Sequence, residues 1–348
     1  MNAEPNFRIA LTGDFYEADG RLKYRDIGLD LLERAHGMEV SRFADHRPEV
    51  EPDQLAGIHG AIVLTPRVTA RSLSAGGDLI AVGRFGVGYD SVDVPACTAA
   101  DVALFITSGA VDHSVAEATV GWMLALAHSA RIKDALVREG RWQERSLHMG
   151  SELRNRTLGV VGYGGIGRAL VRMLAGFGMN VPIVYDPFLP AGGVTGVEAV
   201  GLDELLARAD FVSLHCPLNE QTRGLIGRRE LSLMKPSAYL INTARGGIVD
   251  EPALETALAE GRIAGAALDC FENEPLTAPP RFARFDNVLL APHAIAWTDE
   301  LFRDIGRAAC QGMLDLAQGR RPRGVVNPEV FERPGFLAKW RRLQTLAP

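Results

Sequence analysis

Short apolar runs alternate with amphipathic stretches along most of this chain. Phe7 to Leu11, Glu39 to Phe43, Ala61 to Leu64, Leu79 to Val82 and Val102 to Ile106 read as strands. Apolar positions at helical spacing lie between several of them, as in Ile27, Leu31 and Leu32 ahead of Gly37. The pattern resumes with Leu158 to Val161, Val181 to Tyr185, Phe211 to His215, Ala238 to Asn242, Ala264 to Leu268 and Val288 to Ala291. Leu202 to Ala207, with Asp203 as its cap, and a segment capped by Asp250 and ending at Gly261 read as helices among these strands. Apolar runs bounded by glycine or polar residues suit parallel strands buried on both faces. The alternation predicts an α/β fold of doubly wound parallel sheets.

Ser114-Val115-Ala116-Glu117 is a capping-box pattern, which predicts one long helix from Ser114 through Trp122, Leu124 and Leu126 to about Gly140. Such a helix suits a connector between two sheets, and Trp142 to Asn155 reads as a polar loop after it. A second long helix is expected from Thr298 to about Gly319, crossing back so that the first domain is discontinuous. A length of 348 residues suits two domains.

Thr157 to Asp186 is the most informative stretch. The strand at Leu158 to Val161 runs straight into Gly162-Tyr163-Gly164-Gly165-Ile166-Gly167, and Ile166, Leu170, Leu174 and Phe177 then follow at helical spacing up to Gly178. The next strand ends in Asp186, which lies 19 residues after Gly167. Gly162 permits the tight turn, Gly164 lets backbone approach a pyrophosphate, and Gly167 lets the helix pack closely on the strand. The helix start offers unpaired N–H groups to phosphate, and an acid at the distance of Asp186 suits the hydroxyls of an adenosine ribose.

Composition narrows the picture. The net charge of −6 gives no global basic field, which argues against nucleic acid and anionic membranes as partners. The basic ends Arg320-Arg321-Pro322-Arg323 and Lys339-Trp340-Arg341-Arg342 read as solvated surface. Cys97, Cys216, Cys270 and Cys310 are scattered without metal-ligand spacing, so no metal is expected and a reducing cytoplasm is. The amino-terminal stretch, with an acid at Glu4, does not read as a secretory signal. Ala118 to Ala127 is the longest apolar stretch, far short of the ~20 residues that cross a membrane.

Asp186, Cys216, Arg245, Asp269 and His293 all fall at or just past the carboxyl end of an expected strand. Ligands of doubly wound sheets bind at that edge. With these residues stand Gly86-Val87-Gly88-Tyr89-Asp90, Val115-Ala116-Glu117, Gly162 to Gly167, His215-Cys216-Pro217-Leu218, Asn242-Thr243-Ala244-Arg245-Gly246, Leu268-Asp269-Cys270-Phe271-Glu272-Asn273-Glu274-Pro275 and Pro292-His293. In that order, from about residue 60 to 328, the chain resembles the D-isomer-specific 2-hydroxyacid dehydrogenase family.

The resemblance implies a Rossmann NAD domain inserted into a flavodoxin-like substrate domain, with a cleft between them. The expected division is 1–107 with 297–330 as substrate domain, 108–296 as NAD domain, and 331–348 as a carboxyl-terminal extension. It implies a catalytic set of Arg245, Glu274 and His293 and a homodimer through the nucleotide domains. NAD is the implied cofactor, on Gly162, Gly164, Gly165, Ile166, Gly167, Asp186, Cys216, Pro217, Thr243 and Asp269. Gly86, Val87, Gly88 and Arg245 are the implied substrate-binding residues, and the substrate a small 2-oxo or 2-hydroxy acid of the phosphoglycerate, glyoxylate or hydroxypyruvate type. The chemistry agrees: arginine grips a carboxylate with a planar fork, histidine exchanges a proton near neutrality, and a carboxylate orients it. Successive N–H groups at Gly86-Val87-Gly88 make an anion nest, and Arg67 and Arg84 are candidates to meet a phosphate. His215 reads as structural.

Two departures stand out. The glycine usual after the catalytic histidine is missing from His293-Ala294-Ile295-Ala296-Trp297-Thr298, and the usual Pro-Gly is replaced in Thr107-Ser108-Gly109-Ala110-Val111. Trp297 then has two readings, narrowing the substrate pocket or packing between the domains. An alternative from another class is a dinucleotide-sensing binding protein of the corepressor type.

Overall fold

The run Phe7–Leu11 forms β1 of a parallel sheet, followed by the single-turn α1 (Asp30–Glu33), β2 (Met38–Arg42), β3 (Gly60–Val63), β4 (Ala81–Arg84), α2 (Val94–Ala99) and β5 (Ala103–Ile106). The computed structural model describes residues 7–75, 77–190 and 193–345, so Glu4 of the amino-terminal stretch lies outside the described residues. The strands lie in the order β2-β1-β3-β4-β5, all parallel, with Ile9 beside Gly60 and Ala81 beside Ala103. Ala10, Phe43, Ala61, Val63, Val82 and Leu104 fill one core beneath it.

The middle of the chain builds a second sheet. Its elements are α3 (Asp112–Ala127), α4 (Ala130–Arg138), β6 (Leu158–Val161), α5 (Gly165–Met173), β7 (Ile183–Tyr185), the two-residue β8 (Glu198–Ala199), α6 (Leu202–Arg208) and β9 (Phe211–Leu214). They continue through α7 (Arg228–Leu233), β10 (Tyr239–Asn242), α8 (Glu251–Ala259), β11 (Gly265–Leu268) and β12 (Val288–Leu290). The order is β12-β11-β10-β9-β6-β7-β8, again all parallel. Successive residues of each strand face opposite cores. Val161, Val212 and Leu240 pack with α6, α7 and α8, whereas Val160, Ile241 and Ala267 pack with α3 and α5.

The chain then returns to the first sheet. Thr298 caps α9 (Asp299–Ala317) by accepting from the Leu301 N–H at 3.0 Å. Gly306 and Gly312 let α9 lie directly on the Ile27 carbonyl and the Phe105 ring, where a Cβ would collide. Val325 bridges Phe105 antiparallel to β5, and the buried Asn327 accepts from the Leu104 N–H at 2.8 Å and donates to the Val102 carbonyl at 3.0 Å. A further helix, α10 (Pro334–Thr345), follows. By internal packing, residues 1–111 with 297–348 form one compact unit and 112–296 another.

Several expectations need correction. Packing groups residues 108–111 and 331–345 with the first unit. Phe336 is fully buried against Phe331 and Trp340, and the Trp340 indole N–H donates to the Leu316 carbonyl at 2.7 Å. Lys339 is not solvated surface. Its ammonium donates to the Ala100 and Leu79 carbonyls, and burial lowers its pKa. The long connector is two helices. Ser129 takes the left-handed conformation at φ +51°, breaking the run, and the Ser151 N–H caps the Ala127 carbonyl at 2.7 Å. The helix begins at Asp112, so Ser114 lies inside it. Trp142–Leu147, expected as loop, is a 3-10 helix, and Gly201 stands at the cap position assigned to Asp203.

Candidate active site

In the second unit, β6 is the strand from which the chain first moves to β7 on one side and later to β9 on the other. The carboxyl ends of strands diverge at such a switch point and open a crevice. Gly162 sits there at φ +91°, and a Cβ on it would lie 2.6 Å from the Cys216 nitrogen. Only glycine fits. A Cβ on Gly167 would lie 2.7 Å from the Gly162 carbonyl, so α5 packs tightly under the turn. Around Gly164 nothing lies within 4 Å of where a Cβ would be, so this backbone is open to a ligand. The Asp186 carboxylate accepts from the Tyr163 N–H at 2.8 Å and the Phe188 N–H at 2.9 Å, and each oxygen keeps a further lone pair for a hydroxyl.

One feature of this turn went unread in the sequence. The Asp112 carboxylate occupies the space a side chain at Gly165 would need. Burial raises its pKa against the opposing charges of Arg168 and Arg172. Its sequence signal is an acid two residues before Ser114, outside the helix expected from Ser114 onward.

Arg245 stands three residues beyond β10, and the geometry explains its placement. Buried Asn242 folds the turn by donating to the Arg245 carbonyl at 2.8 Å and accepting from the Ala244 N–H at 3.1 Å. Gly246 runs so close to the Phe271 carbonyl that no Cβ fits. This approach brings the loop after β10 against the loop after β11, which carries Glu274. Asn242 is therefore a positioning residue, and its signal was a polar residue ending an apolar strand.

Glu274 uses both oxygens. Oε1 accepts from the Phe271 N–H at 2.8 Å, and Oε2 lies 2.8 Å from Nδ1 of His293. Burial alone pushes this carboxyl up. The His293 hydrogen bond and charge, the Phe271 N–H and Arg245 outweigh it, and the net pKa is lowered. An ionised carboxylate only accepts, so Nδ1 of His293 carries a proton toward it and Nε2 is the nitrogen left to exchange one. His293 is held at φ +54°, an uncommon conformation for a residue with a side chain. Asp269 supports that loop: its Oδ1 accepts from the Ala294 N–H at 2.8 Å and the Ile295 N–H at 3.1 Å. Burial raises the Asp269 pKa, partly opposed by those two N–H groups.

The other expected residues lie partly in the second unit and partly in the first. Cys216 and Pro217 follow β9 beside the glycine turn, and burial pushes the Cys216 thiol up to about 11. Thr243 lies 3.5 Å, hydroxyl to hydroxyl, from Thr119 of α3. His215 places Nε2 2.9 Å from the Ser213 hydroxyl. In the first unit, Gly86 has φ +134° and its N–H donates to the Thr107 hydroxyl at 3.1 Å. Arg84 donates to the Phe85 carbonyl beneath that turn. Arg67 pairs along Glu49 in an isolated bridge.

The profile described as D-isomer specific 2-hydroxyacid dehydrogenase, NAD binding domain, matches residues 120–294. The chain is also 37% identical over 316 residues to a glyoxylate reductase from Thermofilum pendens, covering 88% of this chain and 92% of that one. The chain belongs to the D-isomer specific 2-hydroxyacid dehydrogenase family. It is 41% identical over 264 residues to a D-3-phosphoglycerate dehydrogenase from Methanocaldococcus jannaschii, covering 75% of this chain but only 50% of that relative. The fold matches a glyoxylate reductase structure from Paecilomyes thermophila with TM-score 0.79 at 28% identity, covering 93% and 99% of the two chains. These members are dehydrogenases and reductases by name, and none of the names supports the corepressor alternative.

The matched region is the family's NAD-binding domain, and NAD is the cofactor of this member. The residues present fit it. Gly164 leaves the backbone open, α5 starts directly behind it, and Asp186 presents hydroxyl-accepting oxygens at the end of β7.

Proposed function

We propose that this dehydrogenase transfers a hydride between NAD(H) and C2 of a small D-2-hydroxy or 2-oxo acid. The observation that carries the proposal is the Glu274–His293 pair at 2.8 Å, placed past the same sheet edge as the glycine turn. NADH supplies the hydride when bound. His293 gives the Nε2 proton to the ketone oxygen as the alcohol forms, and Glu274 balances the imidazolium before and orients the neutral ring after. Arg245 grips the substrate carboxylate and draws charge from the adjacent carbonyl. Gly86, Val87 and Gly88 are assigned to carboxylate binding through backbone N–H groups. Cys216, Pro217, Thr243 and Asp269 are assigned to the cofactor.

The relatives' names support phosphoglycerate- and glyoxylate-type acids as candidates, with hydroxypyruvate between them in size. A panel of these 2-oxo acids with NADH and NADPH tests the reading. Turnover is expected with NADH. It should be weak with NADPH, because Asp186 would repel a 2′-phosphate and Pro187-Phe188-Leu189 offers no cation. Comparable kcat/KM with NADPH would refute the cofactor assignment.

We further infer a homodimer through the second unit and a cytoplasmic setting. Val137, Trp142, Leu147 and Met149 expose apolar surface along α4 and the turn that follows, and all four cysteines are free thiols. A monomer by light scattering at micromolar concentration would overturn the assembly.

A further inference from the structure

The glycine turn of the second unit carries an acid that the reaction above does not use. Asp112 opens α3, and its carboxylate fills the space that a side chain at Gly165 would take. Gly165 is the first residue of α5 and follows the cap position at Gly164. The first N–H groups of a helix have no partner within it and form its positive end. A carboxylate therefore already stands at the end of α5 to which the pyrophosphate of NAD is assigned. α3 packs along α5, so the helix pair and not a free loop sets this placement.

Two anions are thus drawn to one place. A phosphate oxygen accepting from the Gly165 N–H would lie at most about 8 Å from the Asp112 carboxylate. Like charges at that range repel appreciably where protein excludes part of the water. The cations facing Asp112 are Arg168 and Arg172 of α5, and burial outweighs both in raising its pKa. Arg168 also donates to the Tyr163 carbonyl at 3.1 Å. On α3 itself, the neighbouring His113 pairs with Glu117 at 3.2 Å. Asp186, the other acid of the turn, is held by the Tyr163 and Phe188 N–H groups.

We propose that Asp112 is a resident anion of the cofactor site, whose charge opposes the pyrophosphate of NAD(H), so that cofactor binding draws a proton from solvent onto its carboxylate. In the empty site the carboxylate balances the positive end of α5. When the pyrophosphate takes those N–H groups, one Asp112 oxygen gains a proton and no other covalent bond changes. At neutral pH and above, the acid weakens cofactor binding and favours release. This rests on the assignment of the pyrophosphate to the glycine turn.

The test uses ADP-ribose, which carries the pyrophosphate without nicotinamide, and adenosine, which carries no phosphate. Both are titrated calorimetrically into the unmutated protein and Asp112→Asn between about pH 8 and about pH 5. Asp112→Asn should bind ADP-ribose about 10-fold more tightly at about pH 8. Its advantage should shrink as pH falls, because protonation neutralises Asp112 in the unmutated protein. Adenosine should bind the two proteins alike, and groups common to both, Asp186 and the histidines among them, cancel from the comparison. Equal or weaker ADP-ribose binding by Asp112→Asn at the alkaline end would overturn the proposal, and so would a gain that does not vary with pH. If the variant does not fold, the unmutated protein still decides. Its affinity for ADP-ribose relative to adenosine should rise as pH falls, and a flat ratio overturns the role of Asp112 while leaving the pyrophosphate placement standing. No binding of ADP-ribose to the unmutated protein would instead refute that placement.

Discussion

Two histidines stand just past parallel strands of the same sheet, His215 after β9 and His293 after β12. Both are candidates for acid–base work by position alone. Their surroundings differ in every respect that matters. Nδ1 of His215 is buried without a partner, and burial pushes its pKa down to about 4. Nδ1 of His293 faces a carboxylate at 2.8 Å, and nearly half of its side chain is exposed. One ring is held neutral by burial, with its Nδ1 shut away from solvent. The other has a counter-charge for its protonated form and a route to solvent. Sheet-edge position therefore nominates a histidine, and the carboxylate decides between nominees.

The comparison breaks most visibly at His293. His293→Ala should lower kcat by about 10²–10⁴-fold, the usual contribution of a general acid–base, with NADH affinity nearly unchanged. Steady-state rates with a parallel NADH titration measure both. Near-normal turnover would move the proton donor elsewhere, with His215 the next to examine.

Glu274→Gln sharpens the comparison by removing charge while keeping shape. The ring loses the carboxylate that orients its Nδ1–H and balances its charge, so kcat should fall by about 10-fold. The coupling is already visible in the other direction, because His293 helps hold the Glu274 carboxyl below its usual range. Steady-state turnover equal to that of the unmutated protein would remove Glu274 from the mechanism.

The difference between the two histidines was only partly legible in the residue order. Strands announced themselves because buried parallel strands are apolar throughout, so Asp186, Cys216, Arg245, Asp269 and His293 could be set on one edge with the glycine turn. The pairing of Glu274 with His293 came from family resemblance. Its physical basis is Asp269, which holds the Ala294 and Ile295 N–H groups, with the Phe271 N–H on Glu274, contacts between distant segments that no local pattern encodes. The break at Ser129 escaped for a related reason. Ala118 to Arg138 has no glycine or proline except Gly121, and the helix stops because Gly150 and Ser151 pack on the Ala127 carbonyl. The role of α10 was missed because its basic residues suggested solvent, whereas Phe336 and Trp340 lock it down.

The smallest catalytic effect, and the cleanest test of the contrast, lies at His215. His215→Gln preserves a polar group within reach of the Ser213 hydroxyl and removes the titration. If His215 is structural, kcat should stay within about two-fold, since the group contributes no proton. Stability is where it should register. The ring titrates at about 4 in the folded chain and near 6.5 as an ordinary histidine. Above 6.5 it is neutral in both states and the fold keeps its full stability. As pH falls from there toward 4, the unfolded chain takes up a proton that the folded chain refuses, so stability is lost, by about 3 kcal/mol at most once pH is below 4. His59, also pushed down to about 4 by burial and Arg8, titrates in both proteins and cancels from the difference. Urea unfolding of the two proteins between about pH 7 and about pH 4.5 should therefore show the unmutated chain losing stability more steeply than His215→Gln. Parallel curves would mean that His215 accepts its proton in the folded state, and the distinction drawn between the two histidines would fail.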